Sequence, residues 1–449
     1  MERLTVVDEI FLRTHRGMGT PIALQGLWRT PDAMEPGLLR AIHDRLRLGR
    51  LGRRVVGARV PGARRAWRPN TGAHPLDLLP DHGETVETDW PTTPMAPNPG
   101  HVAGPLADHA ILAWADSLGA DLDPEFAPGW RLSAAHLEDG GTVVAITCSH
   151  ALADARGLIH AVTAALRSLD PAIALPPAGE TPLRTTSSEW ADAVSQWTTI
   201  AGGTARALYR RIPRLRARHT TEHVPRESAA DSAAPPNPGA PRYSRPLLLT
   251  FDATHWDTTA STLGGTPNSL FIHLIANILW QNGFPSPTIT ASLPVDTRDE
   301  PRVDNDLAMT EIAVQPTDTP ATIRDKARSA YQRRMSSPAG LPEEILQVIP
   351  DSWAYSLSKG AGERDILCSN IGSLPDAVRR VGPHDCTRVA ARAIHPGITV
   401  FPRTQLAGYL SDLGDTYTLA LAGLGADNDS LPEAIEKACA ALGLRPAPW

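Results

Sequence analysis

Apolar positions in this chain switch between a period of two and a period near 3.6 several times, in both halves. From Trp130 to Leu137 and from Thr142 to Cys148, β-prone residues flank Glu-Asp-Gly-Gly, which predicts a hairpin. The second run, Thr-Val-Val-Ala-Ile-Thr-Cys, leads straight to His150. After Gly157, Leu158, Ile159, Val162, Leu166 and Leu169 fall at helical spacing. Farther on, Thr266 has the chemistry of an N-cap and Pro267 that of a first helical residue. Leu270, Phe271, Leu274, Ile275, Ile278 and Leu279 then line one face, and Gly283 ends the helix. Ile289, Ala291 and Leu293 alternate with Thr288, Thr290 and Ser292 as in a strand, and Tyr417, Leu419 and Leu421 do the same. Ser430 and Glu433 predict a capping box for a last helix carrying Ile435, Ala438, Cys439 and Leu442. Strands and helices mixed within each half predict an α/β (α+β) layered fold.

One stretch breaks the pattern. Residues 219–246 are rich in Pro, Ala and Ser and lack an apolar period, so they read as an exposed linker. It divides the chain into an N-terminal unit, 1–218, and a C-terminal unit, 247–449. At 449 residues the chain has room for two or three domains, and 42% apolar with 20% charged residues is ordinary globular usage. A formal net charge of −6 argues against nucleic acid as the main partner. Four scattered cysteines without a C-x-x-C pair make a disulfide framework or structural zinc site a poor fit. The opening M-E-R-L-T-V-V-D-E-I-F-L carries acids inside its apolar stretch, unlike a signal peptide. No run of 18 apolar residues predicts a membrane span, and a cytoplasmic protein is expected. Arginine in excess of lysine, together with 42 prolines, points to a GC-rich bacterial genome.

The sharpest candidate chemistry is Ser149-His-Ala-Leu-Ala-Asp-Ala-Arg-Gly157, where a strand ends and a helix begins. Histidine titrates near neutrality, so His150 is suited to take a proton from a hydroxyl or amine and return it. Asp154, one helical turn on, has two open roles. It either orients the imidazole or pairs with a cation and holds the loop. The H-x-x-x-D spacing alone is common. A half metal site is a competing reading, but no H-E-x-x-H or clustered His/Cys partner accompanies it. The absence of G-x-S-x-G, a Walker loop and G-x-G-x-x-G disfavours hydrolase, nucleotide-phosphate and dinucleotide readings.

This segment resembles the H-x-x-x-D-G motif of the coenzyme A-dependent acyltransferase superfamily, which includes the condensation domains of nonribosomal peptide synthetases. Within it, the chain is most similar to the bacterial wax ester synthase/diacylglycerol acyltransferases. L-T-V-V-D-E-I-F-L-R from Leu4, the hairpin with its S-H-A-L-A-D-A-R-G turn, G-G-T-P-N-S-L-F-I-H-L-I-A, S-L-P-V-D-T-R with Asn305, and C-S-N-I-G-S-L-P from Cys368 occur in the family's order. The resemblance implies two related chloramphenicol acetyltransferase-like subdomains with a central tunnel. His150 would sit mid-tunnel as general base, and donor and acceptor would enter from opposite faces. Asp154 would be structural and pair with Arg298, with Gly157 supporting the turn. Ser149 stands where the family has its first histidine, Ala155 where it has glycine, and Pro-Gly-Trp (128–130) where storage-lipid enzymes have P-L-W.

The implied activity is transfer of an acyl group from a coenzyme A or carrier-protein thioester to a hydroxyl or amine of a small-molecule acceptor. The departures favour natural-product biosynthesis. A wax ester or triacylglycerol synthase and a catalytically silent scaffold are the alternatives. No cofactor or metal is expected, because the thioester is already activated. Two further features stay open. Ser369 and Asn370 either donate hydrogen bonds near the reacting carbonyl or terminate a strand. The nine arginines from Arg45 to Arg68, and the basic stretch from Arg206 to Arg218, are either docks for an acidic carrier, coenzyme A phosphates or anionic lipid, or solvated faces. The eleven tryptophans are expected in the core or a tunnel wall.

Overall fold

The computed structural model describes residues 2–17, 22–79, 104–169, 188–216, 245–333, 347, 364–396, 402–425 and 429–449. Its first half runs β1 (Glu2–Arg3), α1 (Val6–Gly17), β2 (Ala23–Thr30), α2 (Pro36–Leu48), β3 (Arg53–Val56), β4 (Ala66–Pro69), β5 (Asp77–Leu78), α3 (Ile111–Ser117), β6 (Trp130–His136), β7 (Thr142–Ser149), α4 (Ala155–Arg167) and α5 (Glu189–Arg216). The second runs β8 (Arg245–Asp252), α6 (Ala253–Thr262), α7 (Pro267–Gln281), β9 (Ile289–Asp296), β10 (Leu307–Val314), α8 (Pro320–Arg333), β11 (Ile366–Ser373), β12 (Arg380–Val381), β13 (His384–Asp385), β14 (Arg388–Ile394), β15 (Leu406–Asp412), β16 (Thr416–Gly423), α9 (Leu431–Ala441) and β17 (Ala447–Pro448). The expected linker lies outside the described residues except for Arg245 and Pro246, which already belong to β8.

Two mixed sheets organise the molecule, as the mixed α/β pattern predicts. A seven-stranded sheet has the order β10-β9-β11-β15-β16-β8-β17, and a five-stranded sheet the order β14-β2-β7-β6-β5. The predicted hairpin is β6 paired antiparallel with β7, in register from Trp130 opposite Cys148 to His136 opposite Thr142. Gly140 in its turn has φ of 87°, a conformation that needs glycine. Strand β7 is buried along its whole length and lies between β2 and β6.

The halves are not closed units. Strand β14 belongs to the second half in sequence, yet pairs antiparallel with β2 and forms the edge of the first-half sheet. Its residues Val389, Ala390 and Ala393 join the first-half core. A separate core surrounds α7, whose Leu270 to Ile278 stretch is buried against the seven-stranded sheet.

Helix α7 begins as its sequence predicts. Thr266 caps it, Pro267 follows, and Ser269 completes a reciprocal capping box. The last helix, α9, differs from expectation. Ser430 makes no side-chain cap bond, because its hydroxyl donates instead to Asn282 Oδ1 at 2.7 Å, across the interface with α7. The tryptophans also divide. Trp67, Trp130 and Trp256 are fully buried, whereas Trp190 and Trp197 on α5 are 70% and 52% exposed.

Candidate active site

His150 follows directly on β7, and Asp154 caps α4. The turn between them is buried through Ala151, Leu152 and Ala153. It is covered by residues 297–306, which connect β9 and β10 in the second half. This loop supplies Arg298, Asn305 and Asp306 as partners of the turn.

Asp154 uses both carboxylate oxygens. Oδ1 accepts the Gly157 amide at 2.8 Å and Arg298 Nη2 at 2.5 Å; Oδ2 accepts the Asp306 amide at 3.0 Å. Arg298 also donates to Asp296 Oδ1 at 2.9 Å and to the carbonyls of Arg302 and Asp304. The Asp154 and Arg298 side chains are only 6% and 5% exposed, so this is a buried, fully hydrogen-bonded ion pair.

Gly157 serves a different need. A Cβ there would lie 2.2 Å from the Val303 carbonyl oxygen, so only glycine lets α4 approach the covering loop. Ala155 is the first residue of α4, in ordinary helix, and the glycine requirement falls two residues later.

His150 is held on one side only. Its amide donates to the Ile22 carbonyl at 3.1 Å. Ring Nδ1 lies 3.2 Å from Asn305 Oδ1, and Asn305 Nδ2 donates back to the His150 carbonyl at 2.8 Å. Phe11 of α1 stacks on the imidazole with centroids 3.6 Å apart and planes 15° from parallel. Nε2 has no hydrogen-bond partner among the described residues. Burial of the ring pushes its pKa below the ordinary histidine value, and a hydrogen bond with its own backbone, the Asp154 charge and the Asn305 bond offset this only in part. Burial therefore favours the neutral imidazole.

Beneath the turn lies a charged group that sequence reasoning read only as part of a basic stretch. Arg53 is buried, donates to Asp304 Oδ1 at 2.5 Å and to the Leu152 carbonyl at 2.7 Å, and sits 4.2 Å above the Trp67 ring. Arg64 pairs with Asp192 and Arg65 with Glu9, so this part of the stretch is tied internally. Side chains of the second stretch, Arg206 to Arg218, lie outside those described.

Asp8 was also missed, although Thr5-x-x-Asp8 ahead of an apolar run is a capping-box signal. The box is present: the Thr5 amide donates to Asp8 Oδ2 at 2.9 Å and the Asp8 amide to Thr5 Oγ1 at 3.0 Å. Asp8 is fully buried, and burial followed by the nearby Asp304 charge pushes its pKa up to about 6.

Ser369 and Asn370 lie on β11, and no described interaction joins either to His150. Asn370 Nδ2 donates to Asn268 Oδ1 at 3.0 Å, at the start of α7, and its Oδ1 accepts the Gly372 amide at 2.9 Å. This stabilises an irregularity in the β11–β15 register between Asn370 and Gly372. A small cavity between the two sheets is lined by Asp116, Pro246, Arg392 and Tyr409, and His150 is not among its walls.

The architecture defines a class: two mixed α/β subdomains with a strand crossing between them and an H-x-x-x-D turn under a loop from the other half. This chain has the fold of condensation domains and wax ester synthases. A wax ester synthase/diacylglycerol acyltransferase from Marinobacter aquaeolei VT8 superposes with a TM-score of 0.52 at 15% identity, covering 98% of both chains. The first condensation domain of the calcium-dependent antibiotic synthetase gives 0.56 at 14% identity, covering 98% of this chain and 95% of that one. The nonribosomal peptide synthetase FmoA3 gives 0.54 at 16% identity; 98% of this chain matches 42% of that longer one. No protein-family model and no curated protein sequence matches. Among the described residues, no helix is long and apolar enough to cross a membrane.

Proposed function

We propose that this protein transfers an acyl group from a thioester to a hydroxyl or amine, with His150 as general base. The observation that carries the reading is the one-sided imidazole: Nδ1 is engaged by Asn305, the ring is stacked on Phe11, and Nε2 is free among the described residues. In the proposed step, Nε2 takes the acceptor's O–H or N–H proton as that atom attacks the thioester carbonyl. A C–O or C–N bond forms and the C–S bond breaks. The proton then passes from the imidazolium to the departing sulfur, releasing a free thiol. The donor is coenzyme A or a carrier-protein phosphopantetheine, and donor and acceptor approach His150 from opposite faces through a tunnel between the halves. Excluding water there protects the thioester from hydrolysis.

The proposed setting is natural-product assembly. Support comes from the peptide-synthetase condensation domains among the structures that share the fold. The test is incubation of the purified protein with coenzyme A- and carrier-bound acyl donors of graded length and a panel of long-chain alcohols, polyols and amines. Thiol release and product mass are followed, with His150→Gln as control. Product that requires His150 is the expected result. Product confined to long-chain alcohols or diacylglycerol moves the assignment to lipid storage. Equal product from wild type and His150→Gln overturns the base assignment, and no transfer from either coenzyme A or carrier-bound donors favours the scaffold reading.

A further inference from the structure

The mechanism above needs the lone pair of His150 on Nε2, and within the turn only the ring's hydrogen bond with the His150 backbone bears on where the proton sits. A neutral imidazole carries its single proton on either nitrogen, and the choice follows from what the other groups offer. The group facing Nδ1 is the Asn305 amide, which presents an acceptor in one orientation and a donor in the other. Its orientation either reinforces or opposes the backbone bond.

We propose that Asp8 of helix α1 is a positioning residue that locks the Asn305 amide and thereby fixes the tautomer of His150. This rests on the reading of His150 as the base. Asn305 Nδ2 lies 2.8 Å from Asp8 Oδ1 and 2.8 Å from the His150 carbonyl oxygen. Both partners are acceptors only. A flipped amide would set Oδ1 against a carboxylate and a carbonyl at once, losing two hydrogen bonds and creating two repulsive contacts in a buried place. Oδ1 is thus directed at Nδ1, 3.2 Å away, and an acceptor there requires that Nδ1 carry the proton. The lone pair is left on Nε2.

Asp8 is itself constrained. Oδ2 takes the Thr5 amide in the capping box, and Oδ1 also accepts the Asn305 amide at 3.1 Å. Thr5 Oγ1 donates to the Asn305 carbonyl at 3.2 Å, which ties the helix start to the covering loop a second time. Phe11, one turn after Asp8 on the same helix, stacks on the ring and fixes its plane. Helix α1 therefore sets both the protonation site and the orientation of the base, although it contributes no atom to the H-x-x-x-D motif.

The decisive measurement is the tautomer, read from imidazole 15N shifts in histidine-labelled protein without substrate, with His150 assigned by its loss in His150→Gln. Wild type is expected to show a protonated Nδ1 and an unprotonated Nε2 at pH 7.5. Asp8→Asn keeps the shape but can donate to the Asn305 oxygen, so it permits the flip. It is expected to mix the tautomers and lower kcat by about 10- to 100-fold, part of a general base's contribution, with KM changed less than about threefold. Phe11→Leu is expected to keep the tautomer. Should Asp8→Asn fail to fold, Asn305→Ala removes the acceptor facing Nδ1 and is expected to raise the Nε2–H population; an unchanged tautomer there overturns the proposal. A wild-type Nε2–H form, or an unchanged tautomer in a folded Asp8→Asn, overturns the proposal. The expected tautomer in a protein that transfers no acyl group would sink the proposed function and leave this inference standing.

Discussion

His150 and Asp154 sit four residues apart in one turn, under one loop, and they are held in opposite ways. Asp154 spends both oxygens on the Gly157 amide, Arg298 and the Asp306 amide, and is 4% exposed. His150 is engaged at Nδ1 and stacked on one face, and its Nε2 has no partner among the described residues. A side chain with every hydrogen-bonding position filled has nothing left to offer a substrate. One that is rigid on one side and open on the other has. Under the proposed function, the motif's two fixed residues divide into an architectural group and a chemical one, a division that spacing alone left open.

The crossed pair of substitutions tests that division most severely. His150→Gln is expected to lower kcat by about 10²–10⁴-fold with little change in the unfolding midpoint. Asp154→Ala is expected to cost about 3 kcal/mol of stability, because it strands the buried Arg298 and removes the α4 cap. Calorimetry and steady-state kinetics on both proteins check this. If His150→Gln loses stability like Asp154→Ala, or if Asp154→Ala folds normally and loses only rate, the division fails.

Gly157→Ala sharpens the architectural side alone. The added Cβ meets a backbone oxygen that cannot rotate away, so α4 and the 297–306 loop must separate. A loss of about 1–3 kcal/mol is expected, with residual activity tracking the folded fraction. Ala155→Gly, at a helical position, is expected to change stability by no more than about 1 kcal/mol. Chemical denaturation separates the two, and equal losses would mean that the glycine requirement has been put at the wrong residue.

Much of the framework around the turn was readable along the chain, and the limits of that reading have a physical cause. The hairpin, the strand feeding His150 and the capped α7 come from local periodicity and turn chemistry, which act over a few residues. The Arg298 pairing came only with the family resemblance. Arg53 and Asp8 were missed because their partners are remote: Arg53 meets Asp304 at a separation of 251 residues, and Asp8 meets Asn305 at 297. A local pattern cannot distinguish an arginine on a solvated face from one drawn under the active turn. The cap expected at Ser430 failed for the same reason, since its hydroxyl found Asn282, 148 residues away. The crossing of β14 is likewise a long-range pairing with no local signature.

The smallest effect, and the one that tests the chemical side without changing a residue, is the pH dependence. Burial lowers the His150 pKa from its usual 6.5, and the ring's bond with its own backbone, Asp154 on the same turn and the Asn305 bond restore only part of it. The acidic limb of kcat/KM, which reports the free enzyme, is therefore expected at a midpoint below 6.5, falling about tenfold per pH unit beneath it. Stability follows the same sign: the unfolded chain takes up the His150 proton first, so stability is lost as pH falls from 6.5 toward the lowered value. Asp8 acts in the other direction. Its pKa is raised from 3.8 to about 6, so the folded state favours the proton and stability declines as pH rises through that window. The two contributions to stability oppose each other and partly cancel; because protonated Asp8 can also release the Asn305 amide, the limb is compared with that of Asp8→Asn, in which only the imidazole titrates. An alcohol acceptor is essential, because an amine's own protonation would imitate the limb. With that choice, a limb centred at or above 6.5, or a flat profile down to pH 5 in protein that circular dichroism shows to be folded, would remove His150 from the role of base.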